Sequence, residues 1–494
     1  MRNYDWRIGM TGREDVLFQK MLPAVFFLVA ILPVSLDLAG HAPMLSEANA
    51  RQRRSGEEDS EYNKDLDIIG ISSVEELARH AGRDAQNIRM RPGLYHLGDY
   101  ITPEKLREMR ETRDWHFIDF SGNENMFDLT GVEIEVDTQL RQELRAPTHN
   151  PEFIVSGNKN TLKGLTMTNT GDGTSAAGNV LSVSGADNTL QDITLHMRGS
   201  YPYGYGDLFG KGGGPIIRHR KHSGIQITGD NARIIGCKIF MRSYGHGFYV
   251  QGGENAYFKD CYVEGEMRST DDMLAETHGP AYDVDFRSVY RNRDGEFRVL
   301  PSYMKSLAED GFRSYGVDGT TFINCTARNM RGGFELRSEG HRLENCRAFG
   351  NERAFWIGGN SKVKRSRGDA KYGPLLFLEG TGSSVELELL PDESDKNVHA
   401  LATIHGSGHT VSIRPWGGER RDALPIRVAF SQPGGGEGMS PYGQNEARDL
   451  ILENMTSMPV VIGALARECR VRTLGEVIEN EGEDIQIENL ESPR

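Results

Sequence analysis

A short frame recurs along most of this chain of 494 residues: an apolar residue, any residue, then Gly, Asp or Asn, then a second apolar residue. It stands at Leu129-x-Gly131-Val132, Leu162-x-Gly164-Leu165 and Leu190-x-Asp192-Ile193, and again at Leu452-x-Asn454-Met455 and Ile487-x-Asn489-Leu490. Four of the five cysteines take its last position. "IIGCKIFM", "FKDCYVEG", "FINCTARN" and "LENCRAFG" put Cys237, Cys261, Cys325 and Cys346 where other copies hold Val, Leu, Ile or Met. A cysteine in that company behaves as a small hydrophobe. Spacing argues against a metal, because these cysteines follow one another at intervals of 24, 64 and 21 residues with no Cys-x-x-Cys pair. Zinc ligands usually come in pairs about two to four residues apart.

Repetition at this period marks a solenoid. Its rungs read as "FIVSGNKNTLKGLTMTNTG", "LSVSGADNTLQDITLHMRG", "IQITGDNARIIGCKIFMRS", "FYVQGGENAYFKDCYVEGE" and, more loosely, "FELRSEGHRLENCRAFGNE". Each holds two apolar strand segments around a turn rich in Gly, Asn and Asp, residues that accept a positive φ. Stacking such rungs in parallel, roughly 4.8 Å apart, aligns equivalent side chains in columns. One expected column is Leu165, Ile193, Cys237, Cys261, Cys325 and Cys346. Side chains in a column run parallel, so the thiols are expected to stay reduced even in an oxidising compartment. With 58 glycines and 37% hydrophobic residues, the chain suits one long turn-rich coil better than a compact two-domain enzyme. "SSVEELARHAG" at 72–82 reads as a short amphipathic helix, with Ser73 and Glu76 at capping-box spacing, placed to cover the open end of the coil.

On these rungs the chain resembles the right-handed parallel β-helix proteins, a group that includes pectate, alginate and chondroitin lyases, mannuronan epimerases, several glycosidase families and phage tailspikes. The resemblance covers roughly residues 65–490. It implies an all-β, single-stranded right-handed parallel β-helix and a carbohydrate-active protein, and it carries over no catalytic residue position by position. Ahead of that domain, residues 1–50 contain "MLPAVFFLVAILPVSLDLAG", interrupted by Pro33 and Asp37, which reads as a signal-peptide core and not a full span. Residues 51–64 read as a flexible, charged linker. A secreted or periplasmic protein with no stable membrane span after signal cleavage is expected.

Two insertions interrupt the rungs. One, about 200–224, follows the strand containing Ile193; the other, about 267–313, follows the strand containing Cys261. Both leave just after the same column position, so both should project from one side, with two rungs between them. The chemistry gathers there. Arg218, His219, Arg220, Lys221 and His222 form a basic run in a chain of net charge −14, and Tyr244 and His246 follow in "SYGHG". Arg268 has the same offset from Cys261 as Tyr244 has from Cys237, which makes the two candidate column neighbours. Tyr244, His246, His222 and Lys221 are the expected catalytic groups. Arg218, His219, Glu264, Arg268, Asp271, Asp272 and Arg337 are the expected substrate-binding groups. The competing readings are a solvated basic loop, a glycine-flanked turn, and a Glu264–Arg328 surface pair. Arg331, Glu335, Arg337 and Arg353 are expected to continue a charged outer face. Tyr201, Tyr203, Tyr205 and Phe209 make either a sugar-stacking platform or the packing of their own loop.

Two mechanisms fit. In a lyase or epimerase acting on a uronic acid, a cation neutralises the substrate carboxylate while a His, Lys, Arg or Tyr removes the adjacent proton. In a glycoside hydrolase, paired carboxylates such as Glu264, Glu266, Asp271 and Asp272 divide the acid and base roles. The same carboxylates could hold calcium, the one ion the pattern suggests. A lyase acting on a uronic-acid-containing polysaccharide is the leading expectation, a hydrolase the next, and a noncatalytic glycan-binding or tailspike-like module the third. "GKGGGP" at 210–215 lacks the Lys-Ser or Lys-Thr of a phosphate loop. A short basic run on an acidic chain gives no footing for nucleic acid.

Overall fold

The computed structural model describes residues 67–491, apart from 176–177, 211–215, 396, 419 and 434–441. The expected signal segment 1–50, the linker 51–64 and the greater part of "GKGGGP" lie outside the described residues. From Ile68 to Asn489 the chain winds as a parallel β-helix. Its strands form a 23-stranded sheet that folds into two faces, and a 13-stranded sheet that closes the third. The hand is the right-handed one that parallel crossovers take. On the first face, Thr161–Lys163, Thr189–Gln191, Arg233–Ile235, Tyr257–Lys259, Thr321–Ile323 and Arg342–Glu344 pair in succession. On the second, Thr194–Met197, Lys238–Met241, Tyr262–Glu264, Thr326–Arg328 and Arg347–Phe349 do the same.

The bend between these two faces explains the recurring frame. Gly131, Gly164, Asp192, Gly236, Asp260, Asn324 and Asn345 all have positive φ, between 53° and 79°. Glycine reaches this region without strain, and Asn and Asp enter it more readily than other residues. The structure departs from the frame at both ends of the coil. At its first copy Phe127, not Leu129, pairs with Leu162. At its late copies no such bend forms: Asn454 lies within the strand Ile451–Asn454, where its buried amide donates to Thr473 Oγ1 at 2.9 Å and to the Met458 carbonyl at 2.8 Å.

The cysteine column is present. Thr194, Lys238, Tyr262, Thr326 and Arg347 are in register, so the preceding Ile193, Cys237, Cys261, Cys325 and Cys346 stack behind them. All five cysteines, including Cys469, are buried free thiols. The helix Val74–Ala81 buries Val74, Leu77 and Ala81. The Glu76 N–H donates to Ser73 Oγ at 3.1 Å, while the Glu76 carboxylate accepts from the Ser72 N–H at 2.7 Å, one residue beyond the capping-box partner. Two further helices, Pro103–Thr112 and Thr138–Leu144, were not legible as such.

The third sheet positions the site. Its strands His222–Ile227, Phe248–Val250, Asp310–Ser314, Gly332–Leu336 and Arg353–Ile357 align Ile225, Phe248, Phe312, Phe334 and Phe355 inside the coil. The four phenyl rings stack at 5.1, 4.8 and 5.3 Å. A glycine precedes most of them because there is no room for more: a Cβ on Gly247 would stand 2.5 Å from Val263, and one on Gly311 2.9 Å from both Val263 and Ala327. One residue earlier, Ser223, His246, Asp310, Gly332 and Arg353 form a column at the corner between the second and third faces.

Candidate active site

Both insertions leave at that corner. The first connects Thr194–Met197 to His222–Ile227, and the second connects Tyr262–Glu264 to Asp310–Ser314. A single exit, the turn from Met241 to Phe248 that carries Tyr244 and His246, lies between them, so one rung separates the insertions and not two. They share a small apolar core: Tyr205, Leu208 and Phe209 from the first pack with Met273, Ala281, Val299, Tyr303 and Leu307 from the second. Tyr203 donates to Glu266 at 2.5 Å and Tyr205 to Glu276 at 2.8 Å. Burial, reinforced by the Glu276 bond, pushes the Tyr205 hydroxyl up to about 12. Tyr203, Tyr205 and Phe209 are therefore packing residues of their own loop, and Tyr201 alone of the four is well exposed.

Beneath this cap lies a buried ionic network centred on Glu309. Its carboxylate accepts from Lys221 Nζ at 2.9 Å, the Tyr244 hydroxyl at 3.1 Å and Arg331 Nη1 at 3.3 Å, and its second oxygen lies 3.2 Å from His246 Nε2. Asp310 takes Arg331 through Nη2 at 3.0 and 2.9 Å and Nε at 3.2 Å, and faces His246 Nδ1 at 3.3 Å and Arg353 at 3.4 Å. Arg331 also reaches Asp207 at 3.5 Å, Lys305 bridges Asp207 and Glu352, and Arg313 and Arg353 close on Glu335. The carboxylates Asp207, Glu309, Asp310, Glu335 and Glu352 are thus met by an equal number of cations, Lys221, Lys305, Arg313, Arg331 and Arg353. Such pairing is the condition for keeping charges out of water.

The electrostatics follow from burial and these partners. Burial works to raise both carboxylates, yet His246 once protonated in acid, with Lys221 and Arg331, holds Glu309, and Arg331, with protonated His246 and Arg353, holds Asp310, well below the usual carboxylate range. Burial outweighs the same carboxylates at His246 and keeps the imidazole below its ordinary value, hence neutral at pH 7. At the open edge, Tyr315 is 38% exposed while its hydroxyl turns inward to 2.6 Å from His246 Nε2. The Arg313 guanidinium lies 4.5 Å from the Tyr315 ring centre. Burial raises the Tyr315 phenol, with Arg313 opposing.

Of the residues expected from sequence, Lys221, Tyr244 and His246 come together around Glu309. His219 packs edge-on to Tyr244 at 4.7 Å, with burial pushing it down to about 4. His222 turns away: Nδ1 lies 2.7 Å from the Arg198 carbonyl and Nε2 3.2 Å from the buried Glu152. Arg218 is exposed. Arg268 is not stacked under Tyr244 in the coil; it lies in an antiparallel pair with Lys305 and binds Glu276 at 2.6 Å. Glu264 accepts from Tyr262 at 2.7 Å and pairs with Arg328 at 3.5 Å. Asp271 accepts the Ser302 N–H at 2.9 Å, and the Asp272 N–H donates to the N-cap Ser269 at 3.0 Å. Arg337 bonds Glu379 at 2.9 Å. Arg331, Glu335 and Arg353 are buried members of the network and not part of an outer charged face. Among the described residues no group of three or more His, Cys, Asp or Glu side chains gathers to hold a metal ion, calcium included.

Glu309, Asp310, Asp207, Lys305, Glu352 and Tyr315 were missed. A second frame would have found several of them: aligned on the residue after glycine, "SGIQI", "HGFYV", "DGFRS", "GGFEL" and "RAFWI" bring His246, Asp310 and Arg353 into one column.

No protein-family model matches the chain, and no curated protein matches it. Solved structures similar to it include the A-module of a mannuronan C-5 epimerase from Azotobacter vinelandii, at 11% identity over 85% of this chain and 93% of that chain, with a TM-score of 0.40. A mannuronic-acid-specific polysaccharide family 6 lyase from human gut microbiota matches at 9% over 85% and 82%, with a TM-score of 0.37. A surface adhesin of Streptococcus pneumoniae matches at 11% over 84% and 85%, with a TM-score of 0.34. Function lives in sites and not in folds, so residue roles must come from this chain's own side chains.

Proposed function

We propose that this protein is a secreted or periplasmic polysaccharide lyase that cleaves a uronic-acid-containing glycan by β-elimination at the Tyr315–His246 edge. The observation that carries the reading is a neutral imidazole with Asp310 3.3 Å from one nitrogen, Glu309 3.2 Å from the other, and the inward-turned hydroxyl of the edge residue Tyr315 2.6 Å from that second nitrogen. Burial opposes the passage of the Tyr315 proton to His246, since it raises the phenol and lowers the imidazole; a carboxylate at each nitrogen offsets this for the imidazolium that forms, and Arg313 does so for the phenolate. The phenolate takes the C5 proton of the uronate. That C–H electron pair forms the C4=C5 double bond as the C4–O4 bond breaks, O4 leaves with the proton on Tyr315, and the imidazolium restores the phenol. Lys221, partly exposed beside Glu309, and the exposed Arg218 supply positive charge for the substrate carboxylate.

Hydrolysis is less well served. It needs one carboxyl that stays protonated, and fixed cations keep both Glu309 and Asp310 ionised. The export component rests on the apolar stretch at 21–40; among the described residues no helix is long and apolar enough to cross a membrane.

The test is a panel of polymannuronate, polyguluronate, polygalacturonate, glucuronan and neutral glycans, followed by ultraviolet absorbance for unsaturated ends and by reducing ends. Wild type should raise both signals on at least one polyuronate, and Tyr315→Phe should lower the rate by roughly 10²-fold or more without changing the melting temperature. Reducing ends that appear without unsaturation, or a fully active Tyr315→Phe protein, would remove this assignment.

A further inference from the structure

The outer edge of the third sheet carries a second feature that the elimination chemistry does not use. Val250 pairs with Ser314, Arg313 with Glu335, Leu336 with Ile357, and Ile357 with Leu378. The residues that follow these strands, Gln251, Tyr315, Arg337, Gly358 and Glu379, therefore succeed one another rung by rung along the coil axis. Arg337 comes one rung after Tyr315.

Its guanidinium is held in place from two sides. Nε bonds Glu379 Oε1 at 2.9 Å, a reach over the rung where Gly358 presents no side chain. Its carbon lies 4.3 Å from the centre of the Trp356 ring, at cation–π range. Neither Nη group has a hydrogen-bond partner among the described residues, and the side chain is 44% exposed. The neighbouring cation, Arg313, differs: its guanidinium is committed to Glu335 and faces Asp310 at 3.7 Å, and its side chain is 14% exposed. Among the described residues Arg337 is thus an oriented guanidinium whose planar Nη edge is unpaired, the geometry that takes a carboxylate in bidentate fashion.

We infer that Arg337 receives the carboxylate of the sugar next to the one at Tyr315, so that the site selects glycans with uronic acids in consecutive positions. The inference rests on the lyase reading for the place of the first sugar. Its physical basis is a match of repeats: successive rungs stand roughly 4.8 Å apart, close to the advance of one pyranose unit in an extended chain. A glycan lying along the coil axis then presents adjacent units to adjacent rungs. An alternating chain, with a neutral sugar beside each uronate, leaves the Nη edge of Arg337 without its partner.

The experiment compares wild type with Arg337→Gln and Arg337→Lys on two probes: the homopolymeric uronan that wild type prefers, and hyaluronan, in which glucuronate alternates with a neutral sugar. Binding by calorimetry and cleavage by absorbance are measured separately. Arg337→Gln should weaken homopolymer binding about tenfold and lower kcat/KM on it by a similar factor, with a smaller change on hyaluronan. Arg337→Lys, which keeps the charge but loses the planar fork, should fall between. Equal losses on both probes, or none, would overturn the inference while leaving the elimination chemistry intact. Homopolymer binding that depends on Arg337 without any cleavage would support the inference and sink the lyase reading. A wild type that neither binds nor cleaves any polyuronate would end both.

Discussion

Arg331→Met removes the cation that touches most of the buried network while keeping a side chain of similar length. In the wild type this guanidinium reaches Asp310 at 2.9, 3.0 and 3.2 Å, Glu309 at 3.3 Å, Tyr244 Oη at 3.4 Å and Asp207 at 3.5 Å. It is 3% exposed, so water does not replace it. Deleting one member of a buried ion pair costs about 3–5 kcal/mol because the partner's charge stays behind. Three carboxylates lose a counterion here, which places the expected loss toward the upper end. Glu309 and Asp310 have folded values depressed below the ordinary carboxylate range, so their contribution is present above that range and lost as pH falls through the folded values. Without Arg331 those values rise, and protonation near pH 4.5, just above the ordinary carboxylate values, relieves part of the variant's strain. Urea unfolding followed by circular dichroism at pH 7 and at about pH 4.5 should show a large gap between variant and wild type at neutral pH that narrows in acid. A gap below about 1 kcal/mol at pH 7, or one that widens in acid, would refute the role given to Arg331.

Because burial keeps His246 neutral, kcat/KM should fall on the acid side only below the ordinary imidazole value of about 6.5; an acid limb at or above it would show that His246 is not the group that accepts the proton. Gly311→Ala should destabilise by about 1–3 kcal/mol, since its Cβ meets Val263 and Ala327 at 2.9 Å; unchanged thermal stability would mean the corner is looser than described. Cys261→Ala should cost about 1–3 kcal/mol through lost packing in the column, equally with and without reductant. Stoichiometric disulfides in mass spectra of the nonreduced protein would contradict that.

The coil was legible because its local chemistry repeats. A positive-φ bend needs Gly, Asn or Asp whatever its neighbours, and the residue after it must be apolar, so Gly164, Asp192, Asp260 and Asn324 announce themselves in one dimension. The frame failed at Asn454, where a buried amide network replaces the bend and the same residue type serves a different purpose. The shared exit corner was also readable, and with it Lys221, Tyr244 and His246. Their partners were not, because Glu309 and Asp310 lie at the end of a long insertion and reach His246 only through stacking of the third sheet. Burial was hardest to read: Arg331 and Arg353 look like a solvated face in the sequence, and only the cap formed by the two insertions takes them out of water. Tyr315 escaped notice because nothing around it in the sequence is unusual. Its hydroxyl gains meaning from an imidazole 69 positions away in the chain.

Cleavage of the preferred polyuronate in oxygen-18 water, with products read by mass spectrometry before anomeric exchange, tests the elimination chemistry most directly. Elimination breaks the C4–O4 bond without consuming water, so each cut should leave a non-reducing end one water lighter than a saturated sugar and no oxygen-18 at the new reducing end, and Tyr315→Phe should suppress both products together. Saturated non-reducing ends with one oxygen-18 per cut would mean that water is the nucleophile and that the Tyr315–His246 edge is not the site of a lyase.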